Sequence, residues 1–255
     1  MPEPYAWSIH PEATLATTAL AVAYCLAVRR QPPSRGRVAA FASGIALLIA
    51  TAVTPLDSLS YHLLSAHLLQ NVVLAEWAPA LLVLGLPPYL AARLSQNKPM
   101  RVLTYPPVAL SVWLATYFLW HLPWAYDAAL EHPALLLHLE HACYVAAGCL
   151  FWWPVIHDHP RSLNDAARAG YLFIAFLLAS PIGLLLALLP EPLYDYYDDS
   201  NELWGLSPLT DQQIAGVTMA GEQAIVFFAA FAFFFFRFLA REEEAVQTPR
   251  DVKTV

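Results

Sequence analysis

Long apolar runs alternate with short polar connections along the whole of the 255-residue chain. An apolar run of roughly 17 to 25 residues can cross the hydrocarbon core of a bilayer as a helix, which satisfies its own backbone hydrogen bonds. Seven runs predict seven transmembrane spans, near residues 12–28, 38–56, 61–86, 105–121, 134–156, 169–189 and 212–238. We therefore expect an all-α, polytopic membrane protein in which residues 1–240 form a single domain and residues 241–255 a tail.

The basic residues fall only in alternate connections between these spans. They follow the first, third, fifth and seventh spans, so a seven-span chain places them all on one side of the membrane. By the positive-inside rule that side is cytoplasmic, which predicts an N terminus outside and a C terminus inside. The thirteen residues are Arg29, Arg30, Arg35, Arg37, Arg93, Lys98, Arg101, Arg161, Arg168, Arg237, Arg241, Arg250 and Lys253.

Composition and charge narrow the possible partners. The chain is 58% apolar and only 13% charged, far from the quarter-charged composition of a soluble domain, and its net charge is -7. Acidic residues gather in the predicted outer loop before the seventh span: Glu191, Asp195, Asp198, Asp199 and Glu202. Such a surface argues against a nucleic-acid partner and leaves the lipid bilayer as the expected environment.

The segment His121–His141, with the sequence HLPWAYDAALEHPALLLHLEH, is the densest group of metal-ligating side chains in the chain. It contains four of the nine histidines and three carboxylates. Within it, His138 and His141 stand three residues apart in the fifth span, so their imidazoles share one helix face, with Glu140 beside it. Imidazoles suit copper or zinc, and a carboxylate can ligate directly or orient a ring.

A second polar stripe lies in the third span, where His67, Gln70 and Asn71 share one face. Ionisable and amide groups within a membrane helix face the bundle interior by default. Because His67 and His121 lie at the same predicted outer level as His138 and His141, we expect the four rings to converge at a metal site just below the outer surface. His10, before the first span, is predicted to be a loose interfacial histidine, and His157 a solvated loop histidine.

The seventh span adds further candidates near its outer end. Asp211 is placed to cap this helix, and Gln212, Met219 and Glu222 share a face below it. A thioether is a soft ligand suited to Cu(I), although Met219 is equally well explained as a core residue. The cysteines Cys25, Cys143 and Cys149 lie inside predicted spans without a CxxC pair, so no disulfide framework is expected.

Four segments in order resemble the seven-helix CtaG-type membrane proteins, which are tied to copper handling and cytochrome c oxidase assembly. They are AHLLQNVVLAEWAPALLVLGLP, WHLPWAYDAAL, HLEHACYVAAGCLFWWP and SPLTDQQIAGVTM. The resemblance implies a role in supplying copper to an oxidase at the outer face of a bacterial inner or plasma membrane. It places the family's histidines at His67, His121, His138 and His141, and its DQ pair and Met at Asp211, Gln212 and Met219.

Two positions depart from the family pattern. The family often has a second histidine where this chain has Asn71, and a tryptophan where it has Ala220. Asn71 is a poor copper ligand, which leaves three alternatives open: a weaker site, an altered site, or a site completed by His62 or Cys143.

We therefore expect a copper-binding assembly factor without enzymatic activity, whose partners are cytochrome c oxidase subunits or another copper protein. Zinc is the alternative metal. Two other functions fit the residues: a membrane redox protein with haem held between histidines of two helices, and a transporter of copper or another small solute that uses Glu76 and Glu222. The chain has neither an HExxH motif nor a GxSxG elbow, so no hydrolase is predicted.

Overall fold

A computed structural model describes residues 2–197 and 203–251, with side chains described as far as Glu244. Helix makes up 81% of the structure, and this part of the chain contains no strand, which confirms the all-α prediction. Three residues of the predicted acidic loop, Asp198, Asp199 and Glu202, lie outside the described residues.

Most helices begin at a proline, a residue whose fixed φ suits the first helical turn and whose missing N–H costs nothing there. The helices are α1 (Pro11–Val28), α2 (Arg35–Val53), α3 (Pro55–Ser60), α4 (Leu64–Gly85), α5 (Pro88–Leu94), α6 (Lys98–Leu103), α7 (Pro106–Trp120), α8 (Pro123–Glu131), α9 (Pro133–Ile156), α10 (Asp165–Leu188) and α11 (Pro208–Asp251). Two short 3-10 turns, Asp195–Tyr197 and Leu203–Gly205, lie between α10 and α11.

Among the described residues, six helices are long and apolar enough to cross a membrane, namely α1, α2, α4, α9, α10 and α11. They indicate a multi-pass membrane protein. The predicted fourth span corresponds to α7, a shorter apolar helix of 15 residues. Seven crossings and the sides of the two termini stay predictions.

Helix α4 lies at the centre of the bundle and α1 at its periphery. About 72% of the most apolar window of α4 is buried, against 11% for α1. Helix α4 packs against α2, α9 and α11, while α10 and α11 run along each other. The polar residues of α4 are therefore held inside the protein.

A π turn, Val73–Trp77, interrupts α4 at the level where it meets α9. Pro79 has no N–H to offer the carbonyl of Ala75, so regular α-helical bonding fails at this point. Gly148 of α9 packs directly against the same carbonyl, and a Cβ at Gly148 would overlap it. This close approach brings together the two helices that carry His67 and His141.

Candidate metal centre

Four buried or half-buried side chains from three elements form what we call the buried cluster: His67 of α4, His121 after α7, and Glu140 and His141 of α9. The ring centroids of His67 and His141 are 6.4 Å apart. The Nε2 atom of His67 is 3.6 Å from Glu140 Oε1. Asn71 donates from Nδ2 to the same carboxylate oxygen at 2.9 Å, so this amide holds the carboxylate in place.

The ligand atoms of the buried cluster lack hydrogen-bond partners among the described residues. These atoms are Nε2 of His67, His121 and His141 and Oε2 of Glu140. Buried polar atoms are normally bonded, so these four are candidates for binding a group. Among the described residues, the ligand atoms that all lie within 4.8 Å of one another belong to His10, Glu12 and His138, so the buried cluster is the more open of the two arrangements. Three imidazole nitrogens and one carboxylate oxygen are donors that copper or zinc accepts, so these residues fit a metal of that class.

The ring of His121 is fixed in one tautomer by its own helix. Its Nδ1 lies 2.7 Å from the carbonyl oxygen of Tyr117, which can only accept, so the proton is on Nδ1. Nε2 therefore carries a free lone pair, as a metal ligand requires. The hydroxyl of Tyr194 donates to the backbone carbonyl of His121 at 3.2 Å and steadies the same turn.

His138 does not join the buried cluster. It belongs to what we call the surface cluster, with His10, Glu12 and Asp57, where its Nε2 is 3.1 Å from Glu12 Oε1 and its ring centroid is 5.6 Å from that of His10. Ring nitrogens of His10 lie 3.2 Å from Glu12 and 3.0 Å from Asp57. The prediction that His10 is a loose interfacial residue is therefore wrong, because two carboxylates hold it.

Two neighbouring carboxylates raise the pKa of His10. Partial burial lowers its pKa, but the hydrogen bond and charge of Asp57 and the charge of Glu12 outweigh burial, and the net pKa is above its ordinary value. Sequence reasoning missed His10, Glu12 and Asp57 as members of a site. The available signal was only that three ionisable groups flank the outer ends of the first two spans.

The side chains of Asp211 and Gln212 accept hydrogen bonds from backbone N–H groups. The carboxylate of Asp211 accepts from the N–H groups of Leu64 and Ser65, the latter at 3.3 Å, and so caps α4. The predicted cap of the seventh span is wrong, because α11 already begins at Pro208. Gln212 accepts from the N–H of Leu193 at 2.6 Å.

Met219 of α11 contacts Tyr117 of α7. It is buried, and its sulfur accepts from the Tyr117 hydroxyl at 3.6 Å. The Tyr117 ring in turn lies 4.6 Å from the ring of His121. Tyr117 is therefore the contact between Met219 and the buried cluster.

Glu222 belongs to a deeper polar group between α4 and α11. Its carboxylate accepts from the indole N–H of Trp77. Glu76, in the π turn, accepts from the amide of Gln223 at 3.0 Å. One oxygen of each carboxyl group is bonded across the helix interface in this way, while Oε2 of Glu76 and of Glu222 has no hydrogen-bond partner among the described residues.

Three other candidates have local partners. The Nε2 atom of His62 lies 2.7 Å from the carbonyl oxygen of Pro2, and Cys143 is a half-buried free thiol packed among apolar residues. His157 is 3% exposed and donates from Nε2 to the carbonyl of Val83 at 3.0 Å. The prediction of a solvated His157 is therefore wrong.

Comparison with known proteins matches residues 21–241 to the family model described as cytochrome c oxidase caa3 assembly factor (Caa3_CtaG). Uncharacterized proteins of Mycobacterium bovis and Mycobacterium tuberculosis are each 24% identical over 207 residues, and one of Mycobacterium leprae is 23% identical. Each alignment covers 71% of this chain and 31% of the relative, so the chain spans about a third of the length of the curated relatives it matches. No solved structure matches the chain.

Proposed function

The chain belongs to the cytochrome c oxidase caa3 assembly factor family, and from this premise we propose that it binds copper in the buried cluster and supplies it to the oxidase. In this proposal delivery takes place at the outer face of a bacterial plasma membrane, the side that the positive-inside rule predicts for the cluster. The role is that of a carrier, without catalysis.

One observation carries the proposal: three imidazole nitrogens and a carboxylate oxygen are buried without a hydrogen-bond partner among the described residues, and His67 lies close to both Glu140 and His141. Leaving one such polar atom buried and unpaired costs about 1–3 kcal/mol. A metal ion that binds all four removes these costs together, which favours a loaded state.

Each residue of the cluster has a separate task in this proposal. His67, His121 and His141 supply neutral Nε2 ligands, and Glu140 offers Oε2 as a fourth. Asn71, which stands where the family often has a histidine, holds the other oxygen of Glu140 instead of ligating. We assign no ligand role to Met219, because its sulfur already contacts Tyr117.

Release to a partner is compatible with this ligand set. Imidazoles exchange more readily than the thiolates that hold structural metals, and Glu140 is the one ligand with a negative charge. An acceptor with a higher affinity can therefore take the ion without a chemical reaction. We expect cytochrome c oxidase subunits or another copper protein to be this acceptor.

Metal analysis of the purified full chain tests the proposal. After a brief EDTA wash, the unaltered protein should retain close to one equivalent of copper, and the variant His67→Ala/His141→Ala at least about tenfold less, because two ligands are gone. His132→Ala is the matched control: His132 is also at the predicted outer end but is exposed and outside both clusters. Equal copper in the double variant and the control would contradict the proposal, and a Soret band in the purified protein would favour the haem alternative.

A further inference from the structure

The surface cluster joins two helices that otherwise pack loosely. His10 precedes α1, Glu12 is in its first turn, and His138 is in α9. The three ligand atoms of these residues all lie within 4.8 Å of one another. Glu12 Oε1 is central, 3.2 Å from His10 Nδ1 and 3.1 Å from His138 Nε2.

The positions of the ring protons are set by groups on the far sides of the two imidazoles. His138 Nδ1 lies 3.2 Å from the carbonyl oxygen of Ala134, and His10 Nε2 lies 3.0 Å from Asp57 Oδ2. Both oxygens only accept, so a neutral ring carries its proton on that side. In neutral rings the remaining nitrogens, His10 Nδ1 and His138 Nε2, direct lone pairs towards the carboxylate of Glu12, so the three ligand atoms can bind one cation together. Without a metal ion, a proton on His10 takes this place and pairs the ring with Glu12 and Asp57.

We propose that His10, Glu12 and His138 bind one divalent transition-metal ion, Cu(II) or Zn(II), arriving from the outer aqueous phase. Two imidazoles and a carboxylate are donors for which these two metals compete best. With metal–ligand bonds of about 2.0–2.1 Å, neighbouring ligand atoms of a tetrahedral site stand about 3.3 Å apart. The two measured separations from Glu12 Oε1 match this spacing.

Asp57 contacts His10 on the side of the ring opposite to Glu12. It is 4% exposed, and its carboxylate accepts from the nitrogen of His10 that does not face Glu12. A carboxylate in this position fixes the tautomer and orientation of a ligating imidazole and raises its basicity. Asp57 is therefore a positioning residue of the site.

A cavity of about 730 Å³ extends from the surface cluster to His141, and its lining does not include His67, His121 or Glu140. Its lining includes His10, Glu12, His138 and, one helical turn further along α9, His141. His141 also faces His67, so it is the one histidine that belongs to the cavity wall and to the buried cluster. We infer that the surface cluster acquires the ion and passes it to His141; this role rests on the proposed function, whereas metal binding by the three surface residues does not.

The experiment titrates the purified full chain with Cu(II) alone, and separately with Zn(II) alone. Bound ion is divided into a fraction that EDTA removes within seconds and a fraction that resists it, and the electron paramagnetic resonance spectrum of Cu(II) reports nitrogen ligation. We expect one equivalent in each fraction. In His10→Ala/His138→Ala the rapidly removed equivalent and its nitrogen hyperfine structure should be lost, and the resistant fraction should fill at least about tenfold more slowly.

Two conservative variants protect the test against misfolding of the double variant. Glu12→Gln changes only one exposed carboxylate and should weaken the rapidly removed equivalent at least about tenfold, and Asp57→Asn should weaken it about 10–100-fold. His132→Ala again serves as the control. Unchanged affinity in Glu12→Gln and in the double variant, or the absence of a rapidly removed equivalent in the unaltered protein, would overturn the proposal.

The two proposals fail in different ways. If His67→Ala/His141→Ala loses only the resistant equivalent, both stand. If that variant keeps the resistant equivalent while the surface variants lose theirs, the proposed function fails and the surface site remains. If the surface variants leave both fractions and the filling rate unchanged, the surface site fails and the proposed function is unaffected.

Discussion

Single backbone carbonyls decide what several of the imidazoles in this protein can do. In His121 and His138 the carbonyl four residues earlier accepts the Nδ1 proton, which leaves Nε2 free to bind an ion. In His157 the carbonyl of Val83, from another helix, accepts from Nε2 instead. The same side chain is thus a potential ligand at two positions and a structural donor at the third.

Stability in acid should depend measurably on His157. Burial lowers its pKa to about 4, outweighing the hydrogen bond to Val83 and the nearby charge of Asp158, while Arg37 and His159 act in the same direction as burial. Above the ordinary value of 6.5 the ring is neutral in both the folded and the unfolded state. As pH falls from 6.5 towards 4 only the unfolded state takes up the proton, so stability decreases, by at most about 3 kcal/mol.

The measurement is the thermal midpoint in detergent between pH 7 and pH 4. In His157→Gln the amide can still donate to Val83 but does not titrate, so its midpoint should fall less steeply than that of the unaltered protein. His159→Gln, which changes an exposed neighbour, should retain the full slope. Equal slopes for the two variants would show that His157 does not govern this pH dependence.

The residue scale also marks the limit of sequence reasoning about the site. Helical spacing correctly put His138 and His141 on neighbouring positions of one helix, but it could not tell that they face different partners. His141 contacts α4, whereas His138 contacts Glu12 at the start of α1. Which helix faces which side of α9 depends on the order of helices around the bundle, and one sequence does not encode that order in any local pattern.

At the scale of elements, the bounds of the predicted apolar spans agree closely with the bounds of several observed helices. The predicted span 134–156 is observed as Pro133–Ile156 and the span 12–28 as Pro11–Val28, because proline and the edge of the apolar run coincide at both starts. The π turn in α4 was not predicted, although Pro79 is visible in the sequence. A proline can distort a helix as a kink, a 3-10 turn or a π turn. The packing of Gly148 against the carbonyl of Ala75, which Pro79 leaves unbonded, favours the π turn here.

Replacing Gly148 with alanine should therefore separate α4 from α9. The added methyl group overlaps the carbonyl of Ala75 and the ring of Pro79, both of which are held by the helix. We expect a loss of about 1–3 kcal/mol or more, because backbone has to move, and a thermal midpoint lower by several degrees. Retention of copper after the EDTA wash should fall as well, since His67 and His141 lie on the two helices that move apart.

Gly221 provides the matched control for this change. It is also a helical glycine, but a Cβ there meets no heavy atom within 4 Å. Gly221→Ala should leave the midpoint unchanged or raise it slightly, because alanine favours the helix by about 0.4–1 kcal/mol. A similar midpoint for the two variants would contradict the close approach of α4 and α9.

At the scale of the whole molecule, the two ends of the bundle differ in chemistry. The histidine clusters and their carboxylates lie at one end, and among the described residues Arg37, Arg168 and Arg241 pair with groups at the other end, around the last residues of α4 and the connection between α9 and α10. A carrier that loads and unloads on the outer side needs this separation, because cations would repel an incoming metal ion. The separation holds only if α7 crosses the membrane, since every later connection changes side if it does not.

Helix α7 is the weakest part of that topology: its 15 residues rise about 22 Å, less than the ~30 Å of an average hydrocarbon core. Positive charges before it, at Arg93, and after the next span, at Arg161, nevertheless demand a crossing between them. We expect single cysteines introduced into a cysteine-free chain at the exposed positions Glu3 and Glu131 to react with an impermeant maleimide in intact spheroplasts, and those at Gln31 and Asn97 only after permeabilisation. Labelling of Asn97→Cys and Glu131→Cys from the same side would mean that α7 re-enters instead of crossing, that six helices span the membrane, and that both chain ends share one compartment.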